Sequence, residues 1–193
     1  MDYAVKNAEE NRALYNSCDT TIRKEWLKRM QKANEFFHNE QLSKEELDEL
    51  QESGMPDFTV NVMTEAIEAL KYFCTANNPK WIVVGKESSD TDMATVYEAV
   101  LNHIWYISKG KSVFGQVIQD SLVKSVGTWF VMIDPNGDRG NGEVKIEYLN
   151  MKDVYVDPHS QDILWEDASF ILIKKDMVKR HLINKLPQYK AKI

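Results

Sequence analysis

The reading of the fold turns on Ser125 to Leu149, SVGTWFVMIDPNGDRGNGEVKIEYL. Upstream, Phe114, Val117, Ile118, Leu122 and Val126 keep a helical period as far as Gly127. There the period changes. Thr128 to Asp134 is apolar on both faces and reads as a central strand. PNGDRGNG holds three glycines and two Asn-Gly pairs, a strong hairpin signal. In Glu143 to Leu149, Val144, Ile146 and Tyr148 point one way and Glu143, Lys145 and Glu147 the other, so one face is expected to meet solvent.

Before the hairpin the chain reads as helices. Ile22, Trp26, Leu27, Met30, Ala33 and Phe37 recur at helical spacing. Ser43 and Glu46 form an S-x-x-E capping box, with Leu42 and Leu47 placed as a hydrophobic staple. Gly54 stops that helix and Pro56 blocks its resumption. Val62, Met63, Ala66, Ile67, Leu70 and Phe73 mark a helix from about Asn61, ended by Asn77-Asn78-Pro79. Trp81 to Val84 is a short apolar run and reads as a buried strand. Thr91 or Asp92 is placed to cap a helix carrying Val96, Tyr97, Val100, Leu101, Ile104 and Trp105, which breaks or bends around Gly110.

After the hairpin, Val154 to Val156 and Phe170 to Ile173 read as short strands. Asp176 is placed to cap a last helix stopped near Pro187. The order gives an α+β fold, several helices around a small and mainly antiparallel sheet. The expected organisation is an N-terminal arm over 1–18 (loose, or a short helix needing a partner), one α+β domain over 19–187, and a tail over 188–193. QYKAKI follows Pro187 without a closing element, and five tryptophans are spread over many elements. The chain therefore reads as the front of a longer protein, with Trp81 and Trp129 expected to be largely buried.

Composition narrows function. At 43% hydrophobic and 28% charged the chain can bury a core. It has no apolar run long enough to cross a bilayer and no signal-peptide pattern at its start. Residues 1–60 carry 8 basic and 13 acidic side chains, and 61–169 carry 9 and 16. Residues 170–193 reverse this with 7 basic and 1 acidic. An acidic body repels a phosphate backbone and argues against a dedicated nucleic-acid binder. Cys18 and Cys74 form no disulfide or zinc pattern, and Cys74 is expected to be buried.

The chain lacks phosphate-loop, dinucleotide, nucleophile-elbow and zinc-protease motifs. The four histidines are far apart; His103 is expected to be structural, and His38 and His159 exposed. One constellation deserves chemical weighing. Asp134 faces Glu143-Val144-Lys145 across the hairpin, and a carboxylate opposite E-x-K is the arrangement of many metal-dependent nucleases. The i, i+2 spacing puts Glu143 and Lys145 on one face, where the carboxylates can hold Mg²⁺ and the lysine can steady a phosphate. Charges flanking a hairpin loop are also routine. The series Asp153, Asp157, Asp162 and Asp167 lacks calcium-loop spacing and reads as turn and cap residues. No catalytic, cofactor or metal residue is assigned.

Several segments, in order, resemble the N-terminal part of tailed-phage portal proteins of the podovirus type. These are Arg23-Lys24 beside Trp26; G-x-P-x-x-x-x-N at Gly54 to Asn61; P-x-W-x-V-V at Pro79 to Val84; Ser125 to Phe130, a helix–glycine–strand junction; V-x-V-D-P-x-S at Val154 to Ser160; and D-A-x-x-I at Asp167 to Ile171. The resemblance spans about residues 20–187 and rests on order and spacing, no single motif being specific. It implies a non-catalytic subunit of a ring, usually a dodecamer, at one capsid vertex of the virion, made in the host cytoplasm. Implied partners are the major capsid protein, terminase, tail adaptor proteins and double-stranded DNA passing through the channel. This segment would belong mainly to the outer wing. Family members are several times longer, so contacts of the channel, clip or adaptors are carried over to no residue here.

Overall fold

A computed structural model describes residues 8–185 apart from Asn78, Ser88, Ser89, Asn136 and Ile163. The expected tail at 188–193, Leu186 and the stop at Pro187 lie outside the described residues. The helices are α1 (Ala8–Ser17), α2 (Thr21–Phe37), α3 (Lys44–Glu52), α4 (Val62–Thr75), α5 (Thr91–Ile107), α6 (Gly110–Lys124) and α7 (Lys179–Lys185). The strands are β1 (Thr128–Asp134), β2 (Glu143–Leu149), β3 (Val154–Val156) and β4 (Ile171–Ile173). They form two separate antiparallel pairs, β1 with β2 and β3 with β4, so the architecture is α+β.

The chain divides into two units, residues 22–151 and residues 1–21 with 152–193. In the first, α2, α4 and α6 meet. Phe37, Ile67 and Val123 are buried together, with Ala33 and Leu122 packed against them. Full burial of side chains of this size stabilises by roughly 1.5–3 kcal/mol each. Asn61 fixes the α2–α4 junction. Its side-chain oxygen accepts from Thr64 N at 3.1 Å, capping α4, while its Nδ2 donates to Phe36 O at 2.8 Å and Phe37 O at 3.1 Å. Thr64 Oγ1 also donates to Phe37 O. One asparagine thus satisfies the start of one helix and the end of another.

The capping box of α3 is present in both directions, Glu46 N to Ser43 Oγ at 3.2 Å and Ser43 N to Glu46 Oε2 at 2.8 Å. Gly54 follows with φ +65°, in the left-handed region that favours glycine. α5 and α6 bend at Lys109, whose φ is 53°. A Cβ on Gly110 would fall 2.1 Å from the Trp105 ring, so glycine lets the elbow close over that indole. Gly127 does not end α6, because the left-handed residue there is Ser125. Instead, a Cβ on Gly127 would lie 2.0 Å from Val117 O, so glycine allows the chain to leave flush against α6.

Several expectations are overturned. Trp81 to Val84 is not a strand and pairs with none among the described residues. The side chains of α5 take the hydrogen bonds a partner strand would make: Val83 N donates to Glu98 Oε2 at 3.4 Å, and Asn102 Nδ2 donates to Trp81 O at 3.4 Å. β1 is not central, since its sheet has two strands. Trp81 and Trp129 are not largely buried, at 38% and 40% exposure. Asp90 rather than Thr91 or Asp92 precedes α5, and its carboxylate accepts from Glu87 N at 3.3 Å. Asp176 does not cap α7, which starts at Lys179; it pairs with Lys174 at 3.4 Å. Cys74 and His103 are exposed. The apolar faces of α4 and α5 are longer than what packs on them among the described residues, and Val62, Leu70, Phe73, Val96, Tyr97 and Val100 stand open.

In the second unit, α1 stands beside the β3–β4 pair. The Tyr15 and Tyr155 hydroxyls are 3.1 Å apart, and the buried Cys18 thiol donates to Val156 O at 3.4 Å. The start of the chain therefore includes a helix held by β3.

Candidate functional site

The hairpin places the weighed constellation on one sheet face. β1 and β2 pair in full register from Thr128 opposite Leu149 to Asp134 opposite Glu143. Directly opposed residues share a face, and so do Glu143 and Lys145, two apart. The loop is shaped by left-handed Gly140 and Gly142. At Gly137, a Cβ would meet the Glu143 Cβ at 2.4 Å. The ionic partner of Asp134 is Lys145, Nζ to Oδ2 at 2.6 Å. That hydrogen bond raises the Lys145 pKa, opposed by desolvation and aided by the carboxylates of Asp134, Glu143 and Glu147. A lysine held in this way is a fixed cation at the loop end of the hairpin. Among the described residues, no three His, Cys, Asp or Glu side chains gather as a set able to hold a metal ion.

Between hairpin and helices lies a polar network that sequence reasoning missed. Asp120 is buried on α6 and pairs with Lys124 at 2.9 Å, their side chains 11% and 14% exposed. Tyr148 of β2 donates to the same carboxylate. Ser108, at the α5–α6 elbow, accepts from Ile146 N at 3.0 Å. The available signal was the i, i+4 Asp–Lys pair on a helix otherwise apolar on that side. Next to it is an aromatic cluster. Trp105 stacks edge-on against Trp81 and Trp129, both at 6.2 Å between centroids, and Phe114 lies 6.4 Å from each of Trp105 and Trp129. These spacings suit aromatic pairs.

Three members of the acidic series, Asp157, Asp162 and Asp167, do the work of turns. Asp157 is buried and accepts from His159 N at 3.0 Å, His159 Nδ1 at 3.0 Å and Ser169 N at 3.2 Å. The backbone bond from His159 leads in pulling its pKa from 3.8 down to about 2. Asp167 accepts from Ser160 Oγ at 2.6 Å and Gln161 N at 2.8 Å, and these bonds lower its pKa too. Asp162 accepts from Glu166 N at 3.1 Å. Ser160 and Asp157 belong to V-D-P-x-S, and Asp167 and Ser169 to the D-A-x-x-I segment. The two motifs thus close one loop upon each other.

The residues that carry the sequence resemblance therefore cap, turn and allow close approach, as Asn61, Gly127, Asp157, Ser160 and Asp167 do, or pack against a neighbouring ring, as Trp81 does. They define a structural protein whose distinctive residues build a scaffold. The family of phage P22-like portal proteins matches residues 15–193, and the chain belongs to it. It is thus a phage portal protein of the podovirus type, in a family of structural head-to-tail connectors. A comparison with curated proteins gives no match.

Proposed function

We propose that this chain forms part of the wing of a portal ring at one capsid vertex, a ring usually of twelve subunits. Through its centre double-stranded DNA enters during packaging and leaves during ejection, and terminase and tail adaptors dock on it in turn. The observation that carries this reading is the family match over residues 15–193. The proposed place is the virion, next to the major capsid protein. No described helix is long and apolar enough to cross a membrane.

The surface supports assembly. Large apolar side chains stand open: Ile82 is 77% exposed, Val84 85% and Phe73 74%. Obligate assemblies cover such surface with interfaces of about 2,000–5,000 Å². The net charge of −6 suits a conduit along which DNA slides without being gripped. Negative-stain imaging of the complete gene product tests the reading. Rings with a central hole are expected; compact monomers or dimers overturn it and direct attention to Mg²⁺ binding at Asp134 and Glu143.

A further inference from the structure

One edge of the β1–β2 pair is open, and its orientation follows from a single bond. Ile146 N donates to Ser108 Oγ at 3.0 Å, so this N–H points away from β1. In an antiparallel ladder such a residue sits in a non-hydrogen-bonded pair, and the residue opposite also turns its N–H and C=O outward. The residue opposite Ile146 is Val131. Trp129 and Ile133, two positions away on either side, share that orientation. The outer edge of β1 therefore presents the backbone groups of Trp129, Val131 and Ile133, and among the described residues nothing bonds to them on that side. The Val131 and Ile133 side chains are 57% and 70% exposed. The register of β1 is unbroken, and residues 128–133 hold no charge, proline or bulge. Those are the devices that keep an edge strand from pairing with another chain.

The chain also carries the complement of that edge. Trp81 O accepts from Asn102 and Val83 N donates to Glu98, so these alternate groups face α5. Ile82 and Val84 have exposed side chains and no backbone hydrogen bond among the described residues. Within one chain Trp105 takes the rings of Trp81 and Trp129 against itself, and the 81–84 segment stays on α5. We infer that the 81–84 segment of one subunit adds as a third strand to the open β1 edge of the next copy around the ring. This rests on the ring reading above. The occupant follows from complementarity: segment and edge each lack the backbone partner that the other offers. Ile82, Val83 and Val84 are β-branched and suit a strand. In strand addition the main-chain bonds give affinity and alternate side chains give specificity. Here the contact would cover Ile82, Val84, Val131 and Ile133 together. A segment on an edge joins two different patches of identical chains, the head-to-tail kind of contact that closes into a ring. Two β1 edges pairing with each other would be isologous and would stop at a dimer.

The test uses the complete gene product. Hydrogen exchange is first compared between rings and dissociated subunits. In rings the amides of Ile82, Val84, Val131 and Ile133 are expected to exchange about tenfold more slowly or better. Equal exchange in the two states overturns the inference. Cross-linking then identifies the partner. All forms carry Cys74→Ser, because that thiol is exposed while Cys18 is buried. Ile82→Cys and Val131→Cys are made on separate chains, mixed, assembled and treated with a short bismaleimide. Such a reagent also spans the diagonal neighbours of adjacent strands, about 7–8 Å apart. Covalent dimers are expected from the mixture and from neither form alone, and a ladder is expected when one chain carries both substitutions. A link confined to the doubly substituted chain would place the segment on its own β1, and mixed rings without dimers would leave the edge to another partner. Either result overturns the inference and leaves the ring reading intact. Absence of rings from the unaltered protein removes both. Should a cysteine form fail to assemble, Val84→Cys with Ile133→Cys reads the same contact.

Discussion

The junction of α2, α4 and α6 and the tryptophan cluster of Trp81, Trp105 and Trp129 sit in the same unit and use the same kind of apolar side chain, yet only the first is closed. Phe37, Ile67 and Val123 are 6–7% exposed, whereas Trp81 and Trp129 are 38% and 40% exposed. The difference lies in what covers them. Three helices surround the first site, and Asn61 ties two of them together. The second is backed by α5 and α6 on one side and bordered by Trp81 to Val84, which pairs with no strand among the described residues, and by β1, whose one partner strand is β2. Burial energy follows enclosure, so the number of aromatic rings in a region does not measure its contribution to the stability of the isolated chain.

Mutation can break this contrast. Phe37→Ala is expected to destabilise the isolated chain most, by about 4 kcal/mol in denaturant unfolding. A loss under about 1 kcal/mol would mean that the three-helix junction is not the core. Gly127→Ala should follow at about 3 kcal/mol, because its methyl must displace the Val117 carbonyl, part of the helix backbone. Trp129→Ala should cost only about 2 kcal/mol, below the 3–5 kcal/mol of a fully enclosed tryptophan. An equal loss at Trp129 and Phe37 would erase the distinction between the two regions.

The smallest effect is in pH. The Asp157 pKa is depressed by its hydrogen bonds, so the folded state favours its charged form. Its stabilisation is complete above 3.8 and is lost as pH falls toward about 2. Unfolding followed from neutral to acid pH should show this loss, and Asp157→Asn should flatten that part of the curve. An unchanged curve would mean that the loop closed by Asp157 is open in solution.

Much of this was legible because it is local. The Ser43–Glu46 box, the Asn61 start, the Lys109–Gly110 break and the hairpin register depend on groups within a few residues of each other, where spacing dictates geometry. The network of Asp120, Lys124 and Tyr148 was not legible, since its hydroxyl arrives from 28 residues away. Trp81 to Val84 misled for a related reason. Its side chains have strand character, but a strand needs a backbone partner, and Glu98 and Asn102 supply hydrogen bonds in its place.

By itself, then, the sequence determined the α+β class, the starts of α3 and α4, the hairpin and the resemblance that the family match bears out. Tertiary structure alone decided which apolar faces close, that four strands make two separate pairs, and that Lys145 turns to Asp134. The physical reason is that caps and turns are satisfied by neighbours in the chain, while burial requires a partner whose position no local spacing encodes.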